Sequence, residues 1–121
     1  MKYLLLLLFF CSMSVHAHFY DWTKEQKNWY LASNVAIIAD WTTTRNMTRR
    51  YDEGFRERNF ILGDRPSTQR LDLYFTGYLI GHYLLADYLQ GERRLGYLKI
   101  VTFVELAAVG NNLSVGLRLR F

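Results

Sequence analysis

The sequence predicts an all-α protein with three main helices after an N-terminal signal, a long arginine-rich loop and a short β-like C-terminal tail. Helix-capping residues stand directly before two long proline-free windows, and a third such window ends in a glycine and two asparagines. A chain of 121 residues, half of them apolar, has room for one core. Its single cysteine excludes a disulfide framework. We therefore expect one helical domain over residues 18–121.

The first 17 residues have the three parts of a secretory signal. Lys2 gives a charged start, an apolar run extends from Tyr3 to Val15, and the small residue Ala17 follows. This apolar run is shorter than the roughly 20 residues that a membrane-spanning helix needs. We therefore expect residues 1–17 to be a cleaved signal peptide and the protein to be exported.

The first helix is predicted from Lys24 to about Thr44, because Thr23 can cap its first turn and Gln26 can complete a capping box. One face of this helix carries mainly small and polar residues: Ser33, Ala36, Ile37, Asp40 and Thr44. A helix in water buries its apolar face, whereas a helix in lipid buries its small and polar face. The sequence leaves both arrangements open.

The segment from Arg45 to Arg70 loses the helical period and contains seven arginines among four acidic residues. A connection of this length in a small domain is usually functional or partly folded on itself. The net charge of +4 is too small and too dispersed for a nucleic-acid interface. We therefore expect no nucleic acid among the partners.

The second helix is predicted from Thr68 to about Leu89, with Ser67 as its cap, and is apolar nearly all round. Such a helix is buried in protein or in lipid. Gly77 and Gly81 form a G-x-x-x-G pair, which allows a neighbouring helix to approach closely. We therefore assign these two glycines to helix packing.

The third helix is predicted from about Leu95 to Val109, because Gly110 and the asparagines after it favour a helix end. The remaining residues, Leu113–Phe121, alternate between apolar residues and small or charged residues. Strict alternation is typical of a strand, which predicts the β-like tail.

The polar residues inside the three helical windows are expected to meet. Asp40 and Thr44 lie one turn apart, Glu105 and Asn112 share a face of the third helix, and His82 projects from the second. Buried ionisable groups must be paired or hydrogen-bonded, so one inter-helix polar cluster would satisfy them. The cluster is either a packing network or a ligand-binding or proton-relay site. No H-x-x-x-H or H-E-x-x-H spacing occurs, and we expect neither a metal nor a cofactor.

Several segments together resemble a group of small bacterial and phage exported proteins of unknown activity. The similar segments are Asp40–Arg45, Glu57–Ser67, Tyr74–Phe75, His82, Glu105 and Asn112–Gly116. Phe60 stands where the group has proline. The resemblance implies no activity, but it adds loop positions to the candidate polar cluster. That cluster comprises Asp40, Thr44, Arg45, Glu57, Asn59, His82, Glu105 and Asn112.

The sequence favours a structural or binding protein of the bacterial cell envelope. We expect the lipid bilayer as a partner, with a second copy of the chain or an envelope protein as further partners. The inner membrane is the first expectation, and the periplasm and the outer membrane are alternatives. A small membrane-embedded or periplasmic enzyme using Asp40, Glu57, His82 and Glu105 is the second functional hypothesis. A third is an outer-membrane β-structured protein whose closing strand ends in Phe121.

Overall fold

A computed structural model describes residues 19–57 and 59–120 of the chain, and this part is all-helical. Its three long helices are α1 (Lys24–Met47), α2 (Thr68–Tyr88) and α3 (Gly91–Ser114). The predicted arrangement of three main helices is confirmed. The predicted signal, residues 1–17, lies outside the described residues.

Both predicted N-terminal caps are present, and they fix where α1 and α2 begin. The Thr23 hydroxyl accepts from the Gln26 amide at 3.1 Å, and the Gln26 side chain accepts from the Thr23 amide at 3.1 Å. This capping box satisfies two amides that have no partner inside the helix. The Ser67 hydroxyl accepts from the Arg70 amide at 3.1 Å. Local side-chain chemistry therefore starts both helices at the predicted residues.

Helix α3 is longer at both ends than the sequence predicts. It begins a turn before Leu95, and this early turn allows Arg94 to donate to the carbonyl oxygens of Ala86 and Asp87. Those carbonyls lie in the last turn of α2, where no intrahelical donor reaches them. At its other end α3 continues through Gly110, because contacts with α1 hold the next turn in place.

The C-terminal tail contains no strand within residues 113–120, so the prediction of a β-like tail is wrong there. Leu113 and Ser114 complete α3. The backbone then turns at Gly116, whose φ of +97° suits a residue without a Cβ. After the turn Leu117 is buried and its amide donates to the Asn112 carbonyl at 3.0 Å. The apolar residue therefore anchors a turn under α3 instead of pairing with another strand.

Helices α1 and α3 run parallel, with α2 antiparallel to both. Gln26 in the first turn of α1 donates to the carbonyl of Gly91 at the start of α3, at 3.1 Å. Near the opposite end Asn112 of α3 donates to Asp40 of α1 at 2.9 Å. Helix α1 packs more extensively on α3 than on α2. The long α1–α2 loop therefore lies at the end of the bundle where α1 and α3 both finish.

The apolar core consists of two clusters stacked along the bundle. The first comprises Ile37, Leu71, Phe75 and Val101, and the second comprises Trp22, Ala86 and Leu98. Tyr97 packs against both clusters. The first cluster adjoins the long loop, and its aromatic residue Phe75 lines the candidate site.

Polar side chains occupy much of the interior, whereas many large apolar side chains face outward. Ser33 and Thr43 are completely buried, and His82 is 1% exposed. The most exposed apolar side chains of the helices form what we call the outer apolar faces: Leu31, Val35, Leu73, Ile80, Ile100, Phe103, Val104 and Leu106. Within residues 19–57 and 59–120, no helix has both the length and the apolarity required to cross a membrane.

Candidate functional site

Two carboxyl groups from different helices meet near the loop end of the bundle. Asp40 of α1 and Glu105 of α3 hydrogen-bond to each other, and we call them the carboxyl pair. Asp40 Oδ1 also accepts from Asn112 Nδ2 at 2.9 Å and from Thr44 Oγ1 at 3.2 Å. Glu105 Oε1 accepts from the Tyr78 hydroxyl at 2.7 Å. All three helices therefore contribute a polar group to this site.

The Asp40 carboxyl of this pair keeps its proton to a higher pH than an exposed aspartate does, because burial raises its pKa. Glu105 is only 6% exposed, and among the described residues no amide or hydroxyl donates to its Oε2 atom. A hydrogen bond between two carboxyl groups requires a proton on one of them. Burial, together with the negative charge of Glu105 and the hydrogen bond to it, raises the pKa of Asp40 to about 7. A proton on Asp40 can therefore serve the hydrogen bond between the two carboxyl groups.

Tyr78 remains a hydrogen-bond donor over the whole accessible pH range. Burial raises the pKa of its hydroxyl, and the hydrogen bond to Glu105 raises it further. Because an ionised phenol beside a carboxylate would be strongly disfavoured, the Tyr78 proton stays in place. The proton that titrates near neutral pH therefore belongs to the carboxyl pair.

The carboxyl pair lines a cavity of about 570 Å³ between the ends of α1 and α3 and the long loop. Glu57 and Asn59 contribute the loop side of the wall, and Tyr74 and Phe75 contribute aromatic rings from α2. This volume lies within the range of roughly 300–1,000 Å³ that is typical of small-molecule sites. The cavity thus combines acidic groups with an aromatic wall.

A short network of hydrogen bonds shapes the loop wall. The Glu57 amide donates to the Asp64 carbonyl at 2.9 Å, and Glu57 Oε1 accepts from the Asn59 amide at 2.9 Å. Asn59 Nδ2 donates to the Tyr74 hydroxyl at 2.9 Å, which ties the loop to α2. The turn closes at Gly63, whose φ is +81°. Both the backbone amide and the side chain of Glu57 are therefore held at the cavity by hydrogen bonds to the backbone of the same loop.

His82 belongs to a separate network deeper in the bundle. Its Nε2 atom lies 2.7 Å from Ser33 Oγ, and its Nδ1 atom lies 2.9 Å from the Tyr97 hydroxyl. Ser33 donates to the Tyr30 carbonyl at 2.8 Å, so it accepts from Nε2–H, and Tyr97 then donates to Nδ1. Burial lowers the pKa of His82 to about 4, which keeps the ring neutral.

The structure thus divides the predicted polar cluster. It brings together Asp40, Thr44, Glu105 and Asn112, with Glu57 and Asn59 lining the same cavity. His82 hydrogen-bonds to neither carboxyl group within the described chain. Arg45 also lies outside the cavity lining and forms a two-pronged ion pair with Asp72, at 3.0 and 3.3 Å. Arg45 therefore fastens α1 to α2.

Gly77 and Gly81 do not pack against another helix of this chain. Both are exposed, and among the described atoms none lies within 4 Å of the position where a Cβ would stand on either glycine. Within the described chain no helix therefore approaches closely at these glycines, and their role in helix packing stays a prediction.

Sequence reasoning missed Tyr78, which holds Glu105 in position. A usable signal was present, because Tyr74, Tyr78 and His82 follow one another at intervals of four residues on α2. This spacing places three rings with polar atoms along one face of a helix. All three hydrogen-bond to other segments, at Asn59, Glu105 and Tyr97 respectively.

In the part of the chain that the structure describes, no group of three or more His, Cys, Asp or Glu residues is arranged to hold a metal ion. No family model, curated protein or solved structure significantly matches this chain. The resemblance to small exported bacterial and phage proteins therefore stays a prediction. The function has to be argued from the geometry of the carboxyl pair and its cavity.

Proposed function

We propose that the protein is an exported binding protein of the bacterial envelope that takes a small ligand into the cavity beside Asp40 and Glu105. One observation carries this proposal: Glu105, whose buried Oε2 atom receives no donor from the described chain, lines a cavity of about 570 Å³. A purely structural network has no need of an adjoining cavity. A ligand-binding site combines fixed polar groups with apolar wall, and both are present in this cavity.

Filling the cavity tests the binding proposal. Ala108 lines the cavity, whereas its neighbour Ala107 is exposed and does not. Ala108→Trp should block ligand entry, and Ala107→Trp is the matched control that adds the same ring on the outside. Saturation-transfer NMR with mixed cationic, neutral and anionic fragments should detect binding to the wild type and Ala107→Trp only. Equal binding by Ala108→Trp, or no binding by any protein, would refute the proposal.

We place the protein at the envelope membrane because of its outer apolar faces. Leu31, Leu73 and Ile100 come from three different helices and are each at least 64% exposed. Basic residues stand at both ends of the bundle, among them Lys24 and Arg93 at one end and Arg49 at the other. An apolar surface bordered by basic residues suits a bilayer that contains anionic lipid.

Two measurements test this location. Flotation should recover the protein with vesicles that contain phosphatidylglycerol, and Leu31→Ser with Ile100→Ser should weaken recovery relative to exposed polar controls such as Asn28→Ser. The intact mass of protein purified from the envelope should correspond to a chain that begins at His18, after cleavage at Ala17. Equal recovery of the Ser variant, or a chain that retains Met1, would contradict the respective proposal.

An enzyme is the second candidate, because the carboxyl groups of Asp40 and Glu57 line one cavity. Burial raises the pKa of Asp40 to about 7, which suits a general acid, and Glu57 lies at the same cavity as a potential base. A screen with chromogenic esters, glycosides and phosphates would test this candidate. Turnover should be lost in Glu57→Gln with the fold intact and should fall as pH rises through about 7. Turnover that survives Glu57→Gln would exclude this mechanism.

A further inference from the structure

We propose that the ligand of this cavity is an organic cation whose ammonium group replaces the proton shared by Asp40 and Glu105. This inference rests on the proposed binding function and names its ligand class. It starts from the free acceptor atoms of the carboxyl pair. The hydrogen bonds that Asn112 and Thr44 donate to Asp40 end on Oδ1, and Tyr78 occupies Oε1 of Glu105. The opposite oxygens, Asp40 Oδ2 and Glu105 Oε2, receive no other donor from the described chain.

Charge balance favours a cation at these two oxygens. With its shared proton the carboxyl pair carries one negative charge. When an ammonium group binds, the proton leaves to solvent, the pair carries two negative charges and the ligand carries one positive charge. The net charge of the buried site is unchanged, so the exchange avoids the large cost of adding charge to a low-dielectric region. Binding of an anion would add a negative charge to the site.

The other groups around the cavity reinforce this preference. Glu57 contributes a third negative charge, which also raises the pKa of Asp40. The rings of Tyr74 and Phe75 form part of the wall, and aromatic faces attract cations within about 6 Å. Arg56 is a basic lining residue, but its guanidinium donates to the carbonyl oxygens of its own loop and is exposed. Among the described lining residues, acidic side chains therefore outnumber the single basic side chain.

The proton exchange makes a quantitative prediction for cation affinity. Asp40 interacts with Glu105 on α3, with Glu57 on the loop and with Tyr74 on α2, and the Tyr78 hydroxyl donates to Glu105. Burial and the neighbouring carboxyl groups raise the pKa of Asp40 to about 7, and burial raises the pKa values of both tyrosines above their ordinary range. A cation that competes with one proton, at a group whose pKa is about 7, should bind about 30-fold more tightly at pH 8 than at pH 5.5.

Isothermal titration calorimetry with n-butylammonium chloride tests the inference, with sodium butyrate and butyramide as anionic and neutral probes of similar size. Titrations in two buffers of different ionisation enthalpy count the protons released. We expect n-butylammonium to bind the wild type, to release nearly one proton at pH 6 and almost none at pH 9. Asp40→Asn and Glu105→Gln should weaken binding at least tenfold, whereas Glu92→Gln, an exposed carboxyl control, should not.

The outcomes distinguish a failure of the cation inference from a failure of the binding function on which it rests. If butyrate or butyramide binds in an Ala108-dependent way and n-butylammonium does not, the cavity is a binding site but its ligand is not a cation. If the cation binds without proton release, or equally well to Asp40→Asn, it lies elsewhere and the inference fails. If none of the three probes binds and the fragment mixtures also fail, both proposals fall. Circular dichroism of the Asn and Gln variants verifies that lost binding reflects the site, since both side chains retain the shape of the original.

Discussion

Replacement of Asp40 by Asn tests the shared proton without any ligand. In the folded protein burial and the neighbouring Glu105 raise the pKa of Asp40 from 3.8 to about 7. The folded state therefore keeps a proton that the unfolded chain has already released above pH 5. Because the native state binds more protons between these two pKa values, the free energy of unfolding should fall as pH rises from 4 to 7.

The size of this effect follows from the two pKa values. Proton linkage gives a loss of roughly 2–3 kcal/mol in unfolding free energy between pH 5 and pH 8. Asn has an N–H donor at every pH, so Asn at position 40 can donate to Oε2 of Glu105 without a titrating proton. We expect Asp40→Asn to match the wild type at pH 5 and to exceed its stability by roughly 2–3 kcal/mol at pH 8.

Urea unfolding followed by tryptophan fluorescence at pH 5, 6, 7 and 8 provides the assay. Trp22 and Trp41 are well placed reporters, because each donates its indole N–H to a carboxylate on α2. The difference between variant and wild type removes contributions that both share, including that of His82. Asp52→Asn, at an exposed carboxyl, should run parallel to the wild type. Parallel curves for Asp40→Asn would show that the carboxyl pair holds no proton at neutral pH.

Three further substitutions test the surrounding contacts. Tyr78→Phe should lower the free energy of unfolding by about 1–3 kcal/mol, because it removes the donor to Glu105 Oε1, and urea unfolding at pH 7 measures this. His82→Gln should lower the free energy of unfolding at pH 7.5, and the difference from the wild type should become smaller towards pH 4.5. Burial lowers the pKa of His82 from 6.5 to about 4, so the wild type loses stability as pH falls through that range. Gly81→Ala should stabilise by about 0.5–1 kcal/mol, because nothing lies near the added Cβ; a loss of thermal stability would reveal a partner on that face.

The helix starts were predictable because capping is local. Thr23 and Ser67 satisfy amides three residues away, and no distant contact is required. The end of α3 was not predictable in the same way. Gly110 and the asparagines after it favour a helix end, but the Asn112 side chain is held by α1, a contact between residues far apart in sequence. Tertiary contacts outweigh local propensity in that turn.

The alternating tail failed as a predictor for a similar reason. A period of two indicates a strand only when a sheet supplies hydrogen-bond partners, and the described chain contains no sheet. Leu117 instead inserts into the bundle, and the Arg118 amide donates to the Asn46 side chain at 3.1 Å. The same apolar residues that suggested a strand face thus anchor a turn.

The candidate site was predictable to the extent that burial of charge forces pairing. Asp40 and Glu105 lie on helices with few other charges near them, so an inter-helix partner was expected for each. The same reasoning predicted a carboxyl partner for His82, but its ring hydrogen-bonds to Ser33 and Tyr97 instead. Sequence periodicity alone gives the face on which a side chain lies, and it does not distinguish a carboxyl partner from a hydroxyl partner.

Stability alone does not account for the carboxyl pair. Buried ionic groups can often be replaced by apolar side chains of similar volume without loss of stability. The carboxyl pair makes the fold less stable above neutral pH than at pH 5, because the folded state binds the Asp40 proton more tightly than the unfolded chain does and loses that advantage as pH rises. The arrangement is therefore easier to explain by a ligand that enters the cavity than by the stability of the helix packing. At the pH where the proton leaves, a bound cation would supply the positive charge that the pair has lost. The pair would then stabilise the folded protein instead of destabilising it.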